Sequence, residues 1–146
     1  MISALGPSLE RKATGMPLVD GTRAIVEAMQ AEDVERYIGM ATPSLRDPRD
    51  TRSLLGRLVP FMGRTFLSRA YRELLEMFQI VTASELDWTI ARFTRPTDGA
   101  RTGTVRAGYL GRDRIRASIT RADIATFLLD QSTDPRFHRS APAISN

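Results

Sequence analysis

The chain has no cysteine and only one histidine, His138, among its 146 residues. Disulfide bonds and thiolate metal sites are therefore excluded, and one imidazole cannot supply a cluster of metal ligands. Long hydrophobic runs are also missing, since no stretch approaches the ~20 apolar residues of a membrane span. The first residues have too short an apolar run and no basic lead-in for a signal peptide. We therefore expect a cytoplasmic protein with no metal site and no membrane association.

Lysine is almost absent, because Lys12 is the only one and the other basic residues are arginines. A net charge of +4 would normally suggest a nucleic acid or another anionic partner. However, the arginines are spread along the chain rather than clustered with aromatic residues. Their densest run, residues 101–121, contains no recognisable reading motif. We expect no nucleic-acid partner, and a basic nucleic-acid-binding protein is the third and weakest hypothesis.

The composition is that of an ordinary globular protein, 42% hydrophobic and 26% charged. The length suits one domain, which we predict to span residues 1–146. The best-marked stretch is residues 85–99, in which Trp88, Ile90 and Phe93 predict a buried strand. Residues 95–99 then predict a turn. In an open parallel sheet the loop after such a strand borders the ligand crevice, so residues 93–98 are the first functional candidate. The alternative is a strand and turn of purely structural role.

Strand and helix patterns alternate along the rest of the chain. We predict strands at 1–5, 34–40, 88–93 and 141–145, and helices at 22–32, 53–58, 64–84 and 120–131. Residues 8–17 read as a loop broken by Gly15 and Pro17, with Asp20 or Thr22 as the first helix cap. Residues 103–108 and 114–119 predict a hairpin or a pair of ribbon strands. A helix between two apolar strands is typical of a parallel crossover, so an α/β fold is expected.

The order of these motifs resembles the C-terminal part of the NAD(P)-binding atypical short-chain dehydrogenase/reductase family, which includes flavin-reductase-like and NmrA-like proteins. The resemblance rests on ISALGP, on TRAIVEAM followed by VERYIGMAT, on LDWTIARFTRPTDG, and on SITRADIATFLLDQSTDPRFH. It implies a parallel, three-layer Rossmann-like sheet that lacks its first three strands and ends in a small C-terminal β-ribbon and helix. It also implies NADP or NAD as cofactor and a small planar substrate.

The resemblance implies that seven residues border the cofactor: Ala4, Leu5, Gly6, Thr42, Phe93, Thr94 and Arg95. The first three resemble the fourth-strand loop beside the ribose. Thr42 matches the end of the fifth strand, where the family commonly has a serine near the nicotinamide. The last three resemble the loop that borders nicotinamide and substrate. Structural alternatives stand beside these roles: Gly6 in a tight turn, Thr42 as a strand cap, and Arg95 as a solvated charge.

Two departures from the family pattern bear on activity. Typical short-chain dehydrogenases place a tyrosine and a lysine four residues apart on the long helix for proton transfer, but Tyr71 is followed at that distance by Leu75. Flavin-reductase-like relatives dispense with this pair. No GxGxxG or GxxGxxG fingerprint occurs in the chain, so the pyrophosphate cradle is missing from the sequence. We therefore expect impaired cofactor binding. For the exposed edge of the first strand, the expected outcomes are a homodimer through that edge, marginal stability, or a reading frame that starts upstream; without an upstream start the chain is a true fragment.

Two functional hypotheses follow from the resemblance. The first is an NAD(P)H-binding oxidoreductase-like protein, ancestrally transferring hydride to a flavin or quinone type acceptor. Such transfer needs mainly the positioning of two flat rings, which agrees with the missing tyrosine and lysine pair. The second is a non-catalytic, NmrA-like redox sensor or regulatory binding protein. No catalytic residue is assigned.

Overall fold

The computed structural model describes residues 1–8, 14–51 and 68–146, with the backbone alone for Ser68. These ranges contain three helices, six strands and one 3-10 turn at Pro135–Phe137. The helices are α1 (Pro17–Ala31), α2 (Ser68–Ala83) and α3 (Arg121–Asp130). The strands are β1 (Arg36–Ala41), β2 (Asp87–Phe93), β3 (Arg95–Thr97), β4 (Arg106–Gly108), β5 (Ser118–Thr120) and β6 (Ala143–Ser145).

The main sheet is built around a parallel ladder between β1 and β2, which runs from Arg36 opposite Asp87 to Ala41 opposite Arg92. β6 joins β2 in parallel and β4 joins β6 antiparallel, so the order is β1-β2-β6-β4. On the other side of β1, Ile2 forms a single parallel bridge with Ile38. The predicted first strand therefore lies where expected, but as one bridge rather than a ladder.

Helices cover both faces of this sheet, which makes three layers. α1 and α2 lie on one face, and their apolar side chains form a core with Tyr37, Trp88 and Ile90. α3 lies on the other face, where Phe127 and Leu128 join a second core that includes Ile38 and Ala91. Neighbouring residues of β1 and β2 point to opposite cores, as the two-residue period of a strand requires. The predicted Rossmann-like α/β fold with a mostly parallel sheet is confirmed.

The start of α1 differs from the sequence prediction. The helix begins at Pro17, so the predicted loop is shorter and neither Asp20 nor Thr22 is the cap. Proline suits the first helical position because its fixed φ is already helical and its missing N–H would have no intrahelical partner. The free N–H of Leu18 is instead satisfied by the Glu73 carboxylate of α2, at 3.2 Å.

Of the two alternatives predicted for residues 103–119, the hairpin is wrong, although both segments contain strand residues. β4 pairs with β6, and β5 pairs in parallel with β3 in a separate two-stranded sheet. The predicted turn at residues 95–97 is therefore strand β3. Strands of three residues carry too little periodicity to reveal their partners, and long-range pairing decides them. The last strand and the last helix are confirmed, and the Thr120 hydroxyl caps α3 by accepting the Asp123 N–H at 3.1 Å.

Two predicted features fall wholly or partly outside the described residues: the short helix at 53–58 and the first turn of the helix at 64–84. The rest of that long helix is confirmed as α2. Among the described residues, no helix has the length and apolar character needed to cross a bilayer.

Candidate functional site

The sheet register brings the sequence-predicted site residues to one edge. Thr42 follows Ala41, which pairs with Arg92, so Thr42 is level with Phe93. The N-terminal segment runs parallel to β1 through its bridge at Ile2, and residues 4–6 leave the sheet in the same direction. The carboxyl ends of three neighbouring segments therefore share one edge, where open parallel sheets bind their ligands.

Ala4, Leu5 and Gly6 form an open border of this edge. All three are exposed, with Leu5 45% accessible to solvent. The end of Leu5 nevertheless lies beside α1, because a Cβ added at Gly21 would be 3.5 Å from its Cδ1. An added Cβ at Gly6 would meet no atom of the described residues within 4 Å.

A pair of hydroxyl groups lies at the end of β1. Thr42 Oγ1 and Ser44 Oγ are 2.5 Å apart, and Ser44 is buried while Thr42 is partly accessible. One hydroxyl donates to the other, so the pair retains one proton for a further acceptor. The sequence analysis named Thr42 but missed Ser44. The side chain of Ser44, two residues later, contacts that of Thr42.

The segment after β2 divides into inward and outward groups. The Thr94 N–H and hydroxyl both donate to the Ile144 carbonyl, at 3.2 and 3.3 Å, so this residue holds β6 against β2. Arg95 is exposed, and its guanidinium has no ion-pair partner within the described ranges. Phe93 is half-buried and adjoins the α3-side core. Arg95 and Phe93 are therefore the members of this trio that remain available to a ligand.

A buried ion pair between Arg92 and Asp50 holds together the segments that form this edge of the sheet. Arg92 is fully buried on β2, and its Nη1 and Nη2 donate to the two carboxylate oxygens of Asp50 at 2.6 and 2.8 Å. Its remaining donors reach the carbonyls of Ala141, at 2.6 Å, and Leu45, at 2.9 Å. Such bidentate pairing fixes geometry as well as charge. Arg92 therefore ties the loop after β1 to β2 and to the segment before β6.

The Asp50 carboxylate extends this network to a third loop. It also accepts the N–H groups of Leu110, at 2.9 Å, and of Asp47, at 3.0 Å. Burial alone would raise the pKa of Asp50, but the hydrogen bonds and positive charge of Arg92 lower that pKa below its usual range. The carboxylate is therefore ionised at neutral pH. The sequence signal was an arginine within an apolar strand, which must find a partner when the strand is buried.

Tyr37 and Tyr71 are not placed as acids at the edge. Tyr37 is 2% exposed and hydrogen-bonded to Ser3, and burial raises the pKa of its phenol. It therefore stays neutral and holds the N-terminal segment against β1. Tyr71 lies on α2 with Leu75 one turn later, so the structure supplies no tyrosine and lysine pair there.

A profile of the NAD(P)H-binding family matches residues 1–135. The chain belongs to the NAD(P)H-binding family. The cofactor of this family is NADH or NADPH, as the sequence predicted. No curated protein matches the chain.

Solved structures show the same fold at low sequence identity. A candidate NAD-dependent epimerase/dehydratase from Bacillus halodurans is 17% identical, with a TM-score of 0.72, over 99% of this chain and 63% of its own. A short-chain dehydrogenase/reductase from Veillonella parvula in complex with NADP is 17% identical, with a TM-score of 0.68, over 99% of this chain and 62% of its own. ChuY, an anaerobillin reductase from Escherichia coli O157:H7, is 18% identical, with a TM-score of 0.69, over 92% of this chain and 61% of its own. The chain thus spans about three fifths of their lengths.

The residues at the edge supply several kinds of group that ligand sites use. The border at Gly6 is exposed, and the Thr42 and Ser44 pair has one hydroxyl proton to donate. Phe93 offers an apolar surface, and Arg95 offers a positive charge. Small-molecule and cofactor sites combine apolar surface with a few placed polar groups, and this edge offers both. The pyrophosphate end is different, because the sequence contains no glycine-rich fingerprint to cradle it.

Proposed function

We propose that this chain forms the nicotinamide side of an NAD(P)H site and serves an oxidoreductase that passes hydride to a flavin or quinone type acceptor. The observation that carries the proposal is the register between β1 and β2, which brings Thr42 level with Phe93 at the carboxyl edge of a parallel sheet. Family membership supports the cofactor. The naming of ChuY as a reductase supports the reaction class.

In this proposal the chain's own residues bind and orient the cofactor and the acceptor, and they do not exchange protons with them. Bound NAD(P)H supplies the hydride. The Thr42 and Ser44 hydroxyl pair donates a hydrogen bond at the edge, and Phe93 offers an apolar surface to a flat ring. Arg95 attracts negative charge on the cofactor or acceptor. Because no tyrosine and lysine pair is present on α2, the acceptor is one that needs positioning more than acid catalysis.

The missing glycine fingerprint predicts weak cofactor binding by the chain alone. Backbone N–H groups at a helix N-terminus normally hold the pyrophosphate, and without them most of the anionic contact is lost. We expect NADPH to bind weakly to this chain, and more tightly when a polypeptide with the glycine-rich half is added. Transfer of tryptophan fluorescence to the nicotinamide measures both. Tight binding by the chain alone would contradict the predicted impairment, and no binding in either case would contradict the cofactor site.

Arg95→Ala tests the site within the chain. We expect it to weaken NADPH binding or acceptor turnover by about tenfold, the effect of one charge-assisted hydrogen bond. Arg23→Ala is the matched control, since Arg23 is an exposed arginine on α1. Equal effects of the two variants would show that only net charge matters.

The second candidate is an NmrA-like regulatory protein that senses the cofactor without turnover. The observation that favours it is Leu75, one helical turn after Tyr71, where typical members have lysine. A turnover assay separates the two functions. NADPH oxidation with a flavin or a quinone supports the reductase, whereas binding without oxidation of any acceptor supports the sensor.

The proposal includes a cytoplasmic homodimer joined through the side of the N-terminal segment that has no partner strand among the described residues. Met1 and Ile2 are large apolar residues that are 49% and 37% exposed there. Unpaired strand edges of this kind tend to pair with other strands. Light scattering should give twice the chain mass, and Ile2→Lys should give the mass of one chain. A monomeric unsubstituted protein would contradict the dimer.

A further inference from the structure

A second candidate site lies on the opposite side of the sheet from β1. A cavity of about 420 Å³ opens between α3 and the edge strand β4. Val105, Ala107 and Phe127 give it apolar walls. This volume is within the range of small-molecule sites. The cavity contains none of the seven residues at the NAD(P)H edge, and β6 and β2 separate it from β1.

The lining of the cavity includes the buried amide of Gln131. Gln131 is 1% exposed, and neither its Oε1 nor its Nε2 has a hydrogen-bond partner in the described part of the chain. The pKa of Asp134 is lowered mainly by Arg136 and also by the Gln131 side chain, so this carboxylate lies near the Gln131 amide. An ionised carboxylate has no proton to donate to Oε1. A buried oxygen without a donor is costly, and a ligand N–H would satisfy it.

Positive charge is concentrated at the other end of the cavity. Arg101 and Arg106 are exposed and have no ion pair among the residues that the structure describes. Near Gln131, by contrast, Arg136 is paired with Asp134 at 2.6 Å and Asp130 adds a further negative charge. The two ends are separated by the length of α3 from Asp123 to Gln131, roughly 12 Å at 1.5 Å per residue.

The Asp123 carboxylate, which also lines the cavity, is already satisfied. It accepts hydrogen bonds from the Thr102 N–H and hydroxyl, from the Gly103 N–H, and from Thr120 and Asn146. Asp123 is also fully buried. It therefore shapes the loop that carries Arg101 and does not compete for a ligand's donor.

We propose that this cavity binds a small anion that carries a planar ring with an N–H group at the end opposite its charge, and that a pyrimidine nucleoside monophosphate is the class that fits best. The N–H of the ring donates to Gln131 Oε1. The ring lies between Val105 and Phe127. The phosphate binds Arg101 and Arg106.

Calorimetric titration of the full chain with uridine 5′-monophosphate tests the proposal. We expect saturable binding. We also expect at least about tenfold weaker binding of 3-methyluridine 5′-monophosphate, which has no N–H to offer Oε1, and of uridine, which has no phosphate. Absence of binding at millimolar nucleotide would overturn the proposal. Equal binding of the methylated nucleotide would also overturn it, since it would indicate anion binding by surface arginines alone.

Two variants separate the site from general stability. Gln131→Met should raise the melting temperature, because it removes an unsatisfied buried amide, and should still lose about tenfold in nucleotide affinity. Arg106→Ala should weaken binding by a similar factor, whereas Arg23→Ala on α1 should leave it unchanged. Nucleotide affinity that is unchanged in Gln131→Met, or lowered equally by Arg23→Ala, would contradict the assignment.

Discussion

At the scale of single residues, the candidate site is supported by one buried cation. Arg92 is surrounded by apolar strand residues, and the Asp50 carboxylate and two carbonyls satisfy its guanidinium. Removing one partner from such a pair leaves a buried charge, which costs more than the pair itself contributes. The sequence marked Arg92 only as part of a motif. Its partner could not be predicted because Asp50 is 42 residues away in a loop without a pattern.

Arg92→Met tests the role of this pair. We expect the free energy of unfolding to fall by about 3–5 kcal/mol, since Asp50 then lacks its buried counter-ion. Urea unfolding followed by circular dichroism measures the loss. Arg121→Ala is the control, because its ion pair with Asp98 is exposed and should contribute less than about 1 kcal/mol. Equal losses in the two variants would contradict a special role for Arg92.

A second residue-scale prediction concerns the pH dependence of stability. Burial would raise the pKa of Asp123, but hydrogen bonds from Thr120, Thr102 and Gly103 lower it well below the usual range. A carboxyl whose folded pKa is lowered stabilises the protein fully above its unfolded pKa, and this contribution is lost as the pH falls toward the folded pKa.

The free energy of unfolding should therefore fall between about pH 6 and about pH 3.5, and Asp123→Asn should show a smaller fall over that range. Asp50 acts in the same direction in both proteins, so the comparison isolates Asp123. Urea midpoints at the two pH values measure the difference. An equal fall in the free energy of unfolding of the unsubstituted protein and of Asp123→Asn would contradict a lowered pKa for Asp123.

At the scale of elements, long apolar patterns were predictable from the sequence, whereas the pairing of most short strands was not. β1, β2, α2 and α3 each bury a face of regular period, so their positions follow from the spacing of apolar residues. The three-residue strands β3, β4 and β5 have no such face. Their partners depend on where β6 and the loops lie, and the predicted hairpin was wrong for that reason.

The contact between the loop at 109–113 and the loop after β1 gives an element-scale prediction. Gly111 has a φ of +77°, and an added Cβ would lie 2.8 Å from the backbone oxygen of Thr51. Gly103 has a φ of +73° but open space around it. Gly111→Ala should therefore lower the melting temperature more than Gly103→Ala, which carries only the strain of about 1 kcal/mol. Equal shifts would show that the two loops are not in close contact.

At the scale of the whole molecule, a parallel three-layer sheet brings distant loops to one edge. The seven candidate residues come from three chain segments, and the alignment of their outgoing ends follows from the parallel register. This part of the site was predictable because direction and order follow from the α/β pattern. The hydroxyl partner of Thr42 and the supporting ion pair were not, because they depend on loop conformation.

The most direct test of the central claim is nuclear magnetic resonance of the isotope-labelled chain during titration with NADPH. The account predicts that the backbone amide signals of Leu5, Gly6, Thr42, Thr94 and Arg95 shift together with one binding curve. Signals of residues 28–32, at the far end of α1, should not move. Shifts confined to other surfaces, or no shift at saturating NADPH, would contradict the site.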